Sequence, residues 1–544
     1  MRARRRPALA MSPPQAPELA APRRGAPPAI EPAEVANPVG RPARIPAAWS
    51  GLGTGRGWPL ALVLTVQTAL TLRLIWSNTA FSDEALYLWA GRLELAHLVH
   101  GSPVPGFSGY FSGSPLAYPP LGAMAASVAG LAGARLLSLS MMLAATGMVH
   151  GVTRRLFDRR CAFFAAALFA GLAGAQFLGA LATYDAMALS LLALAVWLTV
   201  IAAPRTGPEA ARLVVAAAAA LAVANVTKYA SGLFDPVVIG IAALAAWQAR
   251  GRGAGARAAA MLTGTLCVLL SAALLAGSAS YLRGISITTL ARQPGGYPAA
   301  RVLELSGTWL WTIALLAAIG VVVVVATRPG LAFALLAAVL FIAVALAPAE
   351  QAHLHTYTSL FKHDTYGAWF GCPLAGYALA SLSRAVPAAK AAAAFRAGVI
   401  VVGLAALPAI PVAARQYHAW PDTAQLMARM EQVIAAHPGP VLADDDGDLL
   451  HFYLGSKAGR GPVIGTWYIS FRGPADRQPV HGLAGYADAI RHEYFAVVLL
   501  EFVDNQATDD QIWRDLTTSG RYVIAKSLAY SGTRSFLIYT RKVQ

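Results

Sequence analysis

The sequence predicts a polytopic α-helical membrane protein of about eleven transmembrane helices, ending in a small extracytoplasmic α/β domain. Three observations carry this reading. Of 544 residues, 57% are hydrophobic and only 13% are charged, about half the roughly 25% charged content of soluble domains; the mean hydropathy is +0.53. Apolar runs of about 18 residues or more recur through the first three quarters of the chain, each long enough to cross a bilayer. From about residue 414 onward the composition changes, and strand-like stretches alternate with helix-like ones.

Residues 1–50 are rich in Pro, Ala and Arg and show no apolar periodicity, which predicts a disordered basic tail. The start "MRARRR" resembles the charged end of a signal peptide, but no apolar segment follows within a few residues, so the tail is expected to stay cytoplasmic. A transmembrane domain is expected over 51–415, with spans near 58–77, 131–151, 161–182, 186–203, 212–229, 233–249, 258–279, 305–327, 330–348, 367–384 and 396–413. Alternating sides from a cytoplasmic N-terminus tests this assignment. The inside loops then hold Arg154, Arg155, Arg159 and Arg160; Arg205; Arg250, Arg252 and Arg257; Arg328; and Arg384, Lys390 and Arg396. Every inside loop is basic, as the positive-inside rule requires. The same clustering accounts for the net charge of +16 without a nucleic-acid partner. The expected location is the plasma (inner) membrane, multi-pass.

Three longer segments fall outside: 78–130, the first extracytoplasmic loop, then about 280–304 and about 349–366. The region 416–544 follows on the same side. There "PVLADDDGDLLHFYLG", "FAVVLLEF" and "RYVIAKSL" read as strands between helices such as "TAQLMARMEQVIAAH" and "DDQIWRDLTTSG". Cys161, Cys267 and Cys372 all sit in or beside apolar runs, so they supply neither a disulfide framework nor a metal-ligand spacing.

Charged residues at membrane depth need a reason, since each costs at least about 2.5–3.5 kcal/mol on insertion scales. Arg73, Arg135, Asp185 and Lys228 all fall near the outer ends of spans in this topology. Arg73 and Arg135 can snorkel. Asp185 is too short to do so, and Lys228 is grouped with Asn225, Thr227 and Tyr229, which points to a site at the outer face.

The stretch "NTAFSDEALYLWAGRLELAHLVHG" (78–101) follows the first span. Ser82, Asp83 and Glu84 suit a helix start, where Ser or Asp caps and acids complement the dipole. Leu86, Trp89, Leu93 and Ala96 then form a stripe that can face lipid or protein. Asp83 and Tyr87 are four residues apart and share a face, whereas Asp83 and Glu84 do not. A carboxylate here could act as a general base on an acceptor hydroxyl arriving from outside.

The motif "DEALY" (83–87) after the first span resembles the polyprenyl-phosphate-dependent glycosyltransferases of the GT-C fold. It is similar in particular to their protein O-mannosyltransferase-like and aminoarabinose-transferase-like branch. The resemblance extends through "SPLAYPPLGAM" (114–124), "TYDAMALSLLALAVW" (183–197) and "LAVANVTKYASGLFDP" (221–236), and covers about 80 to 415. It implies transfer of a sugar from a polyprenyl-phosphate donor to an acceptor hydroxyl on a protein, glycan or lipid, outside the membrane and with inversion. It also implies that Asp83 is the general base with Glu84 in support, and that Lys228 faces the lipid phosphate, whose charge draws cations. The chain departs from the pattern in two places. Some members carry Lys before the "PPL" element, where this chain has Tyr118, and Arg after the acidic pair, where it has Ala85 and Leu86.

A second polar cluster, "EQAHLHTYTSLFKHDTYGAWF", holds His353, His355, Lys362 and His363. An i,i+2 His pair is a weak zinc signal. Phosphate or sugar binding by Lys362 and the histidines is the favoured reading, with a solvated loop as the alternative. No cofactor is firmly implied and no metal ligand is assigned, although a divalent metal is left open. The candidate substrate-binding residues are therefore Tyr87, Tyr118, Asp185, Lys228, His353, His355, Lys362 and His363. "ADDDGD" (443–448) lacks EF-hand spacing and reads as a turn after a strand. A transporter or lipid-linked-sugar flippase is the rival class, which internal repeats or polar breaks at midplane would favour. A sugar-binding module anchored by the spans is a third.

Overall fold

A computed structural model describes residues 58–544, apart from 292–293, 383, 445, 459–460, 467–468, 475–477, 503–504, 532–533 and 543–544. The expected tail at 1–50 lies outside the described residues. Among the described residues, fourteen α-helices precede the C-terminal region. They are α1 (Trp58–Ile75), α2 (Ser82–His100), α3 (Tyr118–Leu156), α4 (Arg159–Gly171), α5 (Ala173–Ala180), α6 (Tyr184–Ala202) and α7 (Gly207–Thr227), followed by α8 (Asp235–Arg250), α9 (Arg252–Ala276), α10 (Ala279–Ile285), α11 (Ala299–Thr327), α12 (Leu331–His353), α13 (Leu360–Leu382) and α14 (Ala388–Tyr417).

All eleven expected spans coincide with helices. Among the described residues, eight helices are long and apolar enough to cross a membrane, or nine if the pair α4–α5 is one span. That pair was expected as a single segment; it breaks before Ala173 with a bend of 62°. The two that fall short have different reasons. α1 is short. α13 opens on Lys362, His363 and Asp364 and is buried almost along its whole length, packed among α4, α11 and α12. A helix enclosed on every side need not present an apolar face to lipid.

Two boundaries differ from expectation for a physical reason. α3 begins at Tyr118 and kinks where Ala129 and Gly130 leave helical geometry. Gly130 sits at φ +59°, a conformation Gly adopts at little cost. The half after the kink is the expected span at 131. The outer loop expected over 349–366 shrinks to a connection between His353 and Leu360, because α12 and α13 carry their polar residues inside helical turns rather than in a solvated loop.

Among the described residues the C-terminal region has four α-helices, α15 (Ala424–Ala436), α16 (Asp446–Leu454), α17 (Gly482–Arg491) and α18 (Gln506–Ser519). Its strands are β1 (Val441–Ala443), β2 (Val463–Ile464), β3 (Ser470–Phe471), β4 (Val480–His481), β5 (Val497–Leu500), β6 (Tyr522–Ser531) and β7 (Arg534–Arg541). Five of them form one sheet in the order β2-β1-β5-β7-β6, with β2, β1 and β5 parallel and β7 antiparallel to its neighbours; β3 and β4 pair separately. Alternate residues of β1 and β5 enter two cores, Val441 and Val497 with α15 and α16, Leu442 and Val498 with α17 and α18. This is the period of two that a strand covered on both faces imposes.

Candidate active site

α2 starts where the chain leaves α1, and its start is fixed by Glu84. That carboxylate is fully buried. It accepts from Phe81 N at 2.9 Å, closing the first turn as an N3 glutamate does, and from Ala182 N at 2.7 Å. Arg135 of α3 grips it with Nε at 2.9 Å and Nη2 at 2.7 Å. The remaining Arg135 donors go to the carbonyls of Ile75, Asn78 and Thr79 at 2.7, 2.9 and 2.9 Å. All five guanidinium N–H groups are thus used. Arg135 does not snorkel: it is 1% exposed and ties α1, α2 and α3 together. Arg73, in contrast, is exposed, and its Nη2 donates to Gln176 Oε1 at 2.8 Å and to the Ile410 carbonyl at 2.9 Å.

Asp83 points the other way. It is one of the walls of a cavity of about 440 Å³, shared with Tyr87, Tyr184, Lys228, Glu350 and His363 among others. That size is within the range of small-molecule sites. Lys362 Nζ donates to Asp83 Oδ2 at 2.8 Å and stands 3.7 Å from Asp185 Oδ2. Asp185 is fully buried, bonded through Oδ1 to Lys228 Nζ and through Oδ2 to the Thr183 hydroxyl at 3.0 Å. The four charges therefore alternate as Asp83, Lys362, Asp185 and Lys228. They come from the starts of α2, α6 and α13 and the end of α7, so the cavity lies at one end of the helix bundle.

Aromatic rings frame this row. Tyr87 stacks on Tyr184 at 4.6 Å, Lys228 Nζ lies 4.8 Å over the Tyr184 ring, and Tyr366 donates to the Asp185 carbonyl at 2.9 Å. Burial, with the Asp83 carboxylate as the next cause, pushes the Tyr87 phenol well above its ordinary range, so it stays protonated. Gly113 lets the loop after α2 approach α7, where a Cβ would meet the Thr227 carbonyl at 2.0 Å. That approach brings Ser112 to the cavity wall.

The sequence-derived candidates separate into groups. Asp83, Tyr87, Lys228 and His363 line the cavity, and Asp185 and Lys362 lie behind it in the ion-pair row. Glu84 does not face the cavity, because its four donors draw it into the helix junction. Tyr118 is fully buried beside Tyr87, Phe111 and Tyr184, so it supports the wall rather than reaching a donor. His353 is exposed at the end of α12, and His355 turns its Nδ1 to the Tyr297 carbonyl at 2.9 Å. His363 instead pairs with Gln351 at 3.0 Å. The histidines do not converge, and among the described residues no three His, Cys, Asp or Glu are grouped to hold a metal ion. Tyr184 and Tyr366 were missed, and Glu350, the first residue of the second polar cluster, lines the cavity although it was not assigned a role. Tyr184 could have been found beside Asp185 in sequence, whereas Tyr366 carries no local signal.

This bundle, with an acidic helix start over a polar cavity at one end, is the GT-C fold of membrane glycosyltransferases. Two solved structures illustrate the likeness. ArnT from Cupriavidus metallidurans, bound to undecaprenyl phosphate, matches with a TM-score of 0.56 at 15% identity, over 89% of this chain and 98% of that one. The oligosaccharyltransferase AglB from Archaeoglobus fulgidus, in complex with an inhibitory peptide and a dolichol-phosphate, matches with a TM-score of 0.54 at 12% identity, over 89% and 74%. At such identities the likeness is one of fold. No protein-family model and no curated protein matches the sequence.

Proposed function

We propose that the protein is a membrane glycosyltransferase that moves a sugar from a polyprenyl-phosphate donor to an acceptor hydroxyl, with inversion, on the extracytoplasmic face of the plasma membrane. The observation that carries this reading is Asp83, a carboxylate on the cavity wall with an ammonium at 2.8 Å and a second, Lys228, on the same wall. The fold shared with proteins solved with undecaprenyl phosphate and with dolichol-phosphate supports it.

In this reading the acceptor oxygen attacks the anomeric carbon from the side opposite the phosphate. Asp83 takes the hydroxyl proton as the new C–O bond forms, a contribution of typically 10²–10⁴ in rate. The bond from the anomeric carbon to the phosphate oxygen breaks, and the leaving lipid phosphate keeps the electron pair. Lys228 stabilises that charge from the wall, and Lys362 supports it from behind Asp83. Asp185 holds both ammoniums ready. Tyr87 and Tyr184 line the cavity and give the sugar an aromatic wall to pack against.

The test is to supply purified protein in lipid nanodiscs with radiolabelled sugars on a polyprenyl phosphate and, separately, on a nucleotide. Transfer from the lipid donor alone supports the proposal. Transfer only from the nucleotide, or movement of the intact lipid across vesicles without transfer, overturns it.

A further inference from the structure

We propose that the C-terminal α/β region works in the reaction as the rear clamp of the Asp83 helix, with Tyr453 and His451 of α16 as positioning residues. The inference rests on Asp83 being the general base. α2 is held on one side by the Arg135–Glu84 pair. Its other side is closed by the chain that follows α14.

The grip begins just before Asp83, in a turn whose polar groups find partners outside α2. The Ala80 N–H, three residues before Asp83, donates to the Tyr453 hydroxyl at 2.8 Å. The Thr79 hydroxyl accepts from Thr423 N at 2.9 Å, and the Thr79 carbonyl accepts from Trp420 Nε1 at 3.1 Å. Asn78 Nδ2 donates to the carbonyls of Tyr417 and Trp420 at 3.0 and 3.2 Å. Further along α2, the His451 imidazole stacks on Trp89 with centroids 4.0 Å apart and planes 4° from parallel. Arg92 donates to the Phe452 carbonyl at 3.0 Å and covers the Phe452 ring at 4.7 Å. Ala80, Ala85 and Leu88 share one apolar core with Leu449 and Leu450 of α16.

A separate binding module would meet the membrane region through a sparse interface across a flexible linker. Here the contacts concentrate on the one helix that carries Asp83, and on the three residues that lead into it. Buried polar backbone in that turn must be paired, and α16 with the segment before α15 supplies the partners. Burial also lowers the His451 imidazole from its ordinary range, which keeps it neutral and flat against Trp89. Placement matters because a displacement of about 1 Å can cost on the order of a hundredfold in rate.

Tyr453→Phe removes one hydroxyl and leaves the Ala80 N–H without its partner. His451→Ala removes the stack. In the full-length protein, each is expected to lower kcat by about tenfold or more, while KM for the lipid-linked donor changes less than about twofold. Hydrogen exchange gives a readout independent of turnover: amides at 80–88 should exchange faster in both variants, with α6 and α13 unchanged. A merely structural role would lower the folded fraction and leave kcat per folded molecule intact. Wild-type kcat and wild-type exchange in both variants overturn the clamp. If Asp83→Asn retains transfer, the base assignment falls. If Asp83→Asn is inactive while both α16 variants are normal, only the clamp falls.

Discussion

Glu84→Gln is the substitution whose consequence follows most directly from the geometry. The change is isosteric but removes one charge and replaces an acceptor with a donor. Four donors converge on the carboxylate: Arg135 Nε and Ala182 N on Oε1, Arg135 Nη2 and Phe81 N on Oε2. An amide can accept at one end only, so two donors meet an NH₂ group, and the Arg135 guanidinium, 1% exposed, is left without an anion. Removing one partner of a buried pair costs about 3–5 kcal/mol, a large share of the roughly 5–15 kcal/mol that separates folded from unfolded states. At about 1 °C per kcal/mol for a chain of this size, the apparent melting temperature in detergent should fall by roughly 3–5 °C. Asp83→Asn, one residue away, is the control. Asp83 is 33% exposed, and Lys362 keeps Asp185 at 3.7 Å when it loses this partner, so the shift should be much smaller. Equal shifts for the two variants, or a Glu84→Gln shift under about 2 °C, would refute the division of labour between neighbouring acids.

Lys228→Met should weaken binding of polyprenyl phosphate by about tenfold to a hundredfold, the scale of one charge-assisted hydrogen bond, as read by fluorescence titration; unchanged affinity would remove Lys228 from the phosphate site. Gly91→Ala should abolish folded protein on size-exclusion chromatography, since a Cβ there meets the Pro119 carbonyl carbon at 2.4 Å and its oxygen at 2.0 Å. In the C-terminal region Asp444 and Asp509 are buried together, with Asp444 held by the Thr466 hydroxyl at 2.6 Å and Asp509 by Phe502 N at 3.1 Å. Burial first, and the Asp444 carboxylate second, push the Asp509 carboxyl from 3.8 up to about 8. The folded chain then keeps a proton that the unfolded chain releases. The stabilising contribution is full below about pH 4 and falls away as pH rises to about 8, so melting temperature should decline over that window and flatten in Asp509→Asn.

The fold was largely legible because apolar runs and basic loops are local signals. Every expected span falls on helix, one of them broken in two, and the strands at Val441 and Val497 were visible as short apolar runs, although the second half of "PVLADDDGDLLHFYLG" is the helix α16. What escaped depends on contacts distant in sequence. Lys362 meets Asp83 across 279 residues and Arg135 meets Glu84 across 51. No window of sequence distinguishes a carboxylate locked by a distant arginine from its neighbour on a cavity wall. Hydropathy also confuses a polar helical turn buried in protein with a solvated loop, which is why Lys362 and His363 were placed in a loop rather than at the head of α13. The histidines illustrate the same limit: His353, His355 and His363 are close in sequence, but the end of α12 and the start of α13 send them to different surroundings. The break between α4 and α5 at Leu172 left no Gly–Pro signature that a reading by composition would catch.

The central claim is that Asp83 takes the acceptor proton. Sugar transfer from a radiolabelled polyprenyl-phosphate donor, measured for folded wild type and folded Asp83→Asn at saturating donor, addresses it directly. The expected result is a loss of at least about a hundredfold, with binding of polyprenyl phosphate retained. Transfer by Asp83→Asn at the wild-type rate would contradict the account.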